Sequence, residues 1–532
     1  MASENSIQIQ LNGNELTTYD VFKISQSTEA KITIADSSIE KISNSRDLLE
    51  KFVDEERVIY GVNTSMGGFV NWLVPITHAH ELQENLIASV ASNVGDYLDD
   101  DIVRASMLVR INSLARGCSG ISIENFNKLV EMFNSGIIPC VPSKGSLGAS
   151  GDLGPLAAIA LVATGKWKAK FQGVILSGEE ALKKAGITPM NLSFKEGLSL
   201  INGTSVMAAY GAILTEKTKQ LISSYEIISC LSFEGLKAMR KPFNPIVHKE
   251  KPHIGQLQTA KNIWKILADS KMDQDEQDIE HELQSHHPSA PFKTDTPIED
   301  AYSIRCTPHI LGPIRDTLVW IENIITNEIN SSNDNPLILT EHQEIFHNGH
   351  FHGQYVSMAM DYLSISLTTL SNLSDRRIDR FMDKSNNNNL PPFLCKENPG
   401  LRLGLMGGQF MATSLTAENR SLCTPLSIQS LTSTGDFQDI VSLGLVAARR
   451  ADELYSNVSY IIAFELLCAS QAADIRGVHK LSSYTKPIHQ FVRESVPYLD
   501  YDTCLTPYLE KLAKIVKSDK IIHESKFKED AC

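Results

Sequence analysis

The sequence predicts a mainly α protein, a bundle of long helices with a smaller mixed region at its N-terminal end. Three observations predict it. Apolar residues recur at helical spacing over long stretches, and the period-two patterns of strands are few and short. No linker, low-complexity run or composition break divides the 532 residues into separate modules. Apolar residues make up 42% of the chain and charged residues 21%, a balance that excludes the disordered and fibrous classes.

The elements follow in chain order. The opening "MASENSIQIQLNGNE" is polar and lacks the basic and apolar regions of a signal peptide, so a cytoplasmic location is expected. No apolar run reaches the ~18 residues that span a bilayer, and no membrane association is expected. In "HAHELQENLIASVASNVG", from His78 to Gly95, Leu82, Leu86 and Val90 lie four apart with Ile87 beside them, which makes one helix face apolar. The same spacing fills "IENFNKLVEMFNSG", "LAAIALVATG", "DTLVWIENIITNEI", "MAMDYLSISLTTLSNL" and "YSNVSYIIAFELLCASQAADI". Helices of this length commonly bundle. Between Lys271 and Pro297 the chain is acidic and then rich in Pro and Ser, which reads as a partly exposed connection with His286 and His287 solvated. The expected boundaries are 1–200 for the N-terminal region, 201–480 for the central bundle and 481–532 for a C-terminal helical region.

Composition narrows the function. A formal net charge of −14 argues against binding to nucleic-acid backbones, which takes concentrated Lys and Arg. The nine cysteines show no C-x-x-C spacing and read as small buried hydrophobes. His347, His350 and His352 in "FHNGHFHGQ" invite a metal reading, but no carboxylate or Cys set completes a site, and no metal is expected.

The segment "GSLGASGDLGP" (145–155) places four glycines directly before the apolar run "LAAIALVATG". One reading is a loop between helices. A second is an anion cradle at a helix N-terminus, although G-x-G-x-x-G and G-K-[ST] are both missing. A third is chemical. The amide nitrogen of Gly151 reaches back to the Ala149 carbonyl and closes a five-membered ring with loss of water, and dehydration of Ser150 leaves an exocyclic methylidene. Pro155 is expected at the first position of the next helix, with Asp152 near its cap.

Further polar segments decide among these: "VIYGVNTSMGGF" (58–69), "LINGTS" (200–205), "EDAYSIRC" (299–306), "SSNDNP" (331–336) and "HNGHFHGQY" (347–355). With "GSLGASGDLGP" they resemble the aromatic amino acid ammonia-lyase and aminomutase family, which includes histidine ammonia-lyase. "ERVIYGVNTSMGGFV", "FHNGHFHGQYVSMAMD" and "FMDKSNNNNLPPFLC" resemble its bacterial phenylalanine-specific members over nearly the whole chain. The resemblance implies that Ala149, Ser150 and Gly151 form a methylidene-imidazolone cofactor. It implies Tyr60 as β-proton base, with Gly67 in a lid loop. Asn202 and Tyr302 would act around the substrate amine and the ring, Arg305 and Asn335 would hold the carboxylate, and Phe351 would lie against the cofactor. Val90 stands where histidine and tyrosine enzymes tend to carry His, and Gln438 where histidine enzymes carry Glu; both favour a phenyl ring. Glu299 in place of Gln, and Thr434 in place of Glu, depart from the pattern at the amine. A homotetramer with sites built from three subunits is implied by the resemblance alone. The leading expectation is phenylalanine ammonia-lyase, giving trans-cinnamate and ammonia; the alternative is phenylalanine aminomutase, giving β-phenylalanine. An inactive scaffold would be signalled by loss of Ser150, Tyr60 or Arg305, and all three are present.

Overall fold

The computed structural model describes residues 7–274, 276–286, 290–291 and 297–529. The chain is mainly α with few, short strands. Each stretch with helical spacing is a helix: Ala79–Val90, Ile123–Ser135, Leu153–Ala163, Thr307–Ile329, Gln354–Met382 and Gly444–Arg476. Local chemistry sets several of the ends. Ser177 and Glu180 form a reciprocal capping box, and Gly136 ends the Ile123–Ser135 helix at a φ of 80°, where a side chain would be strained.

Two compact units divide the chain. The first comprises Met1–Glu216, Ile321–Tyr362 and Pro425–Ala451; the second comprises Lys217–Trp320, Leu363–Thr424 and Asp452–Cys532. Both are discontinuous, and the divisions at 216, 320, 362 and 451 fall inside long helices, while that at 424 follows the helix Met406–Leu422. Among the described residues, every strand pair lies in the first unit. Gln8–Leu11 runs parallel to Lys31–Ile34, and the other pairings are antiparallel: Val94–Tyr97 with Pro142–Lys144, a three-stranded set from 138 to 177, and the hairpin Leu337–Leu339 with Glu344–Phe346.

The second unit is helical and buries charge in satisfied networks. Glu465 accepts from Tyr225 Oη at 2.9 Å, Ser374 Oγ at 2.6 Å and Arg377 Nη1 at 3.2 Å. Glu234 accepts from Ser270 Oγ, Ser482 N and Thr485 Oγ1, yet burial outweighs these bonds and pushes its carboxyl up to about 7. The folded chain therefore holds this proton more tightly than the unfolded chain does. The site's stability is greatest below 4.5, the ordinary value, and falls as pH rises through about 7. Glu234→Gln should remove that loss. Urea unfolding at about pH 5 and about pH 8 should show the variant gaining on the wild type by on the order of 3 kcal/mol between the two.

Three sequence expectations need correction. Gly444–Arg476 is long and apolar enough to cross a bilayer, although 83% of its apolar window is buried inside the protein; that window is core, which the sequence alone did not distinguish. The stretch read as a connection contains the helix Glu276–His286, in keeping with its run of Glu and Gln. His287, and the side chain of His286, lie outside the described residues. Cys140, Cys230, Cys395 and Cys468 are buried as expected, but Cys504 is exposed.

Candidate active site

The glycine-rich loop leads from the strand Pro142–Lys144 into the helix Leu153–Ala163. Ala149 and Gly151 pair across a turn centred on Ser150, and Gly148 and Gly151 take φ of 74° and 70°. Glycine is required at 151, because a Cβ there would lie 2.1 Å from the Gly203 carbonyl oxygen. The Gly203 backbone grips both flanks of this residue. Its N–H donates to the Ser150 carbonyl at 3.3 Å, and its carbonyl accepts from Asp152 N at 2.8 Å. Gly203 has φ of 148°, and a Cβ on it would meet Arg110 Nη1 and Asn333 Oδ1, both at 2.5 Å. The tripeptide is thus bent and backed by a wall that admits no side chain, which fits closure of a ring between residues 149 and 151.

The helix after the loop begins at Leu153, so Pro155 is its third residue and not its first. Asp152 does not cap that helix with its side chain. Its carboxylate instead accepts from the backbone N–H groups of Val206 and Met207 at 2.9 and 2.8 Å, at the start of the helix Ser205–Leu236. Burial pushes the Asp152 carboxyl up to about 7, against those two donors.

A cavity of about 1120 Å³ opens over the tripeptide. Tyr60, Gly67, Val90, Ala149, Ser150, Gly151, Asn202, Asn335, Phe351 and Gln438 all line it, ten of the positions singled out in the sequence. Leu86, Val90, Leu147, Leu153 and Met66 give it apolar wall. Gln438 Nε2 donates to Ser150 Oγ at 3.2 Å, which places this residue at the tripeptide. Thr434, one of the departures from the family pattern, also lines the cavity.

Tyr60 is held from several sides. Its backbone N–H meets His347 Nε2 at 3.2 Å, and its phenolic oxygen accepts from Gly67 N at 3.0 Å. Burial raises the phenol above its ordinary value, and the Gly67 N–H lowers it by less. Gln83, fully buried in the Ala79–Val90 helix, ties the backbone beside Tyr60 to the helix Glu196–Ile201: its Nε2 donates to Gly61 O and its Oε1 accepts from Leu198 N, each at 2.9 Å. Asn335 Oδ1 accepts from Asn348 N at 2.7 Å. His347 thus serves the Tyr60 backbone, and among the described residues no group of three or more His, Cys, Asp or Glu side chains is placed to hold a metal.

Tyr302 and Arg305 are not among the lining residues and belong to the second unit. Tyr302 is 70% exposed. Arg305 donates through Nε to Asp300 O at 2.9 Å, pairs through Nη2 with Glu299 at 2.9 Å, and lies 4.9 Å from the Tyr302 ring centroid. Among the described residues, the lining contains no Lys or Arg.

Sequence reasoning missed the buried residues behind the site: Gln83, Arg110, Lys195 and Asp334. The one available signal was a charge beside motif residues, as in "SFKEGLSLINGT" and "SNDNP".

Comparisons with known proteins agree along nearly the full length. A family model described as aromatic amino acid lyase matches residues 16–494. A tyrosine ammonia-lyase of Cupriavidus metallidurans is 41% identical over 516 residues, covering 96% of each chain. A histidine ammonia-lyase of Caldanaerobacter subterraneus subsp. tengcongensis is 39% identical over 514 residues, covering 97% of each. Among solved structures, a phenylalanine aminomutase of Pantoea agglomerans is 56% identical, with a TM-score of 0.94 over 97% of this chain and 100% of that one.

Proposed function

We propose, from the premise that the chain belongs to the aromatic amino acid lyase family, that it removes ammonia from L-phenylalanine to give trans-cinnamate. The observation that carries this reading is the cavity, which holds the bent Ala149-Ser150-Gly151 tripeptide, Tyr60 and an apolar wall together. The tripeptide would hold a methylidene-imidazolone, which would supply an electron-accepting conjugated system for the bonding pair that leaves with the amine.

The chain's own residues do the rest. Tyr60 takes the β-proton, a task for a positioned base. Asn202 meets the substrate amine, and Phe351 packs against the tripeptide. Asn335 and Arg305 bind the carboxylate, Arg305 through the paired donors of its guanidinium. Among the described residues no Lys or Arg lines the cavity, and the family resemblance has Arg305 and Tyr302 reaching the site from another copy of the chain in a homotetramer. Glu299, which pairs with Arg305, must yield it to the substrate.

Val90 gives the aryl end no hydrogen-bond donor, so an unsubstituted ring is preferred to phenol or imidazole. Val90→His should raise kcat/KM for tyrosine relative to phenylalanine by about 10-fold or more. An unchanged ratio would remove Val90 from the ring's surroundings.

The similarity to a phenylalanine aminomutase at 56% identity favours a second reading, in which ammonia returns to the β-carbon and β-phenylalanine leaves. Both use the same groups and differ in whether cinnamate escapes first. Warming should speed opening of the loop around Tyr60 and favour escape. Chromatography of both products across temperature tests this: cinnamate should dominate when warm, with β-phenylalanine growing on cooling. β-Phenylalanine as the dominant initial product at every temperature establishes the mutase, and failure to consume phenylalanine while tyrosine or histidine is consumed overturns the substrate.

A further inference from the structure

We propose that Lys195 is a positioning residue for this site, acting through Asp334 to fix which end of the Asn202 amide faces the cavity. The proposal rests on the reading of Asn202 as the group that meets the substrate amine.

Lys195 is a cation with no access to solvent, at 0% exposure, opposite Asp334 at 1%. It sits in the left-handed region, at φ 70° and ψ −26°, as the residue before the short helix Glu196–Ile201. A non-glycine residue held there and buried is maintained by its surroundings. Its Nζ lies 2.6 Å from Asp334 Oδ2 and donates to Ser199 Oγ at 3.2 Å. Burial pulls the Lys195 ammonium below its ordinary value, with the Asp334 carboxylate opposing that and the Arg110 guanidinium adding to it.

The second oxygen of Asp334 serves the site. Oδ1 accepts from Asn202 Nδ2 at 3.0 Å and from Asn335 N at 2.7 Å. Asn202 Nδ2 also donates to Asn335 O at 3.2 Å. Both partners of this amide nitrogen can only accept, so the amide has one permitted orientation, with Nδ2 toward Asp334 and Oδ1 left as the acceptor. An ammonium needs such an acceptor. Asn202 lines the cavity and is 2% exposed, so water is a poor substitute for a fixed partner.

Lys195 holds the Asp334 carboxylate in place through Oδ2. Without it, Asp334 would lose the cation hydrogen-bonded to it and keep only the field of Arg110, so nothing at Oδ2 would fix where Oδ1 points. With Oδ1 free to swing away from Asn202 Nδ2, the amide's orientation is no longer enforced. Lys195 does not line the cavity.

The test is a double-mutant cycle in the full-length protein with Lys195→Met, Asp334→Asn and the pair, assayed on whichever of phenylalanine, tyrosine and histidine the wild type consumes. Lys195→Met and Asp334→Asn are each expected to lower kcat by about 10²-fold, the scale of a misplaced positioning group, with KM changed less than about 3-fold. Their intact masses should match fully dehydrated protein. The pair should lose about as much as the worse single variant, because the two residues act as one unit. The proposal is overturned by multiplying losses in the pair, by a rise in KM alone, by incomplete dehydration that accounts for the loss, or by a lower melting temperature with kcat intact. Should Lys195→Met fail to fold, the charge-neutral pair takes its place, and a kcat in it within about 3-fold of wild type overturns the proposal. Activity on tyrosine or histidine but not phenylalanine would sink the substrate reading and leave the cycle readable; no activity on any of the three would sink both.

Discussion

Ser150→Ala is expected to fold normally and to retain less than about one-thousandth of wild-type turnover. Its hydroxyl is the one group in the tripeptide whose elimination can produce a methylidene, and alanine has nothing to eliminate. Folding should survive because the tripeptide is held by its backbone: the Ser150 carbonyl accepts from Gly203 N, and Asp152 N donates to Gly203 O. The side chain's partner is Gln438 Nε2 at 3.2 Å, a donor placed at the oxygen that must leave. Intact-mass measurement gives a readout independent of substrate. The wild type should fall short of its sequence mass by two waters, one from ring closure and one from Ser150, and the variant by no more than one. A wild type at full sequence mass, with turnover preserved in Ser150→Ala, would sink the cofactor reading.

Tyr60→Phe should lower kcat by about 10² to 10⁴-fold, the contribution of a positioned general base, with little effect on the melting temperature, because the bond it loses, from Gly67 N, is one that water can replace at a cavity wall. The pH profile is the sharper measurement. Burial raises the Tyr60 phenol above its ordinary value of 10.0, and the Gly67 N–H offsets only part of that. The active form of a base is the deprotonated one, so the reactive fraction grows as pH rises. Wild-type kcat/KM should therefore climb from neutral into the alkaline range, and the climb should vanish in Tyr60→Phe. A variant that loses rate but keeps the slope would assign the base to another group. The raised value also means that any lowering of the phenol in the working enzyme comes from groups beyond those now around it. Arg305, proposed to arrive from a second copy, carries charge of the required sign.

Much of the site was legible because its chemistry needs particular residue types in short segments. Ala149-Ser150-Gly151 offers a small residue, an eliminable hydroxyl and a side-chain-free nitrogen in sequence, and periodic Leu and Val mark helix faces wherever the chain packs them. Those features are local, since backbone preference and spacing act over a few residues.

Long-range packing decided the rest. Asp152 reads as the cap of the helix that follows it, yet it caps the start of the Ser205–Leu236 helix, because the Gly151–Gly203 contact brings that helix's free N–H groups closer. Tyr302 and Arg305 read as neighbours of Tyr60 in function but fold into a different unit. Nearness to the "INGT" motif is all that marks Lys195 in the sequence, and it does not tell a buried lysine from a solvated one. It is buried because Asp334, 139 residues away, supplies the opposite charge in the same place. Sequence by itself determined which groups this protein has for chemistry and which stretches coil. Tertiary structure decided which charges lose their water, because that cost is bearable only where distant segments bring a partner within hydrogen-bond reach.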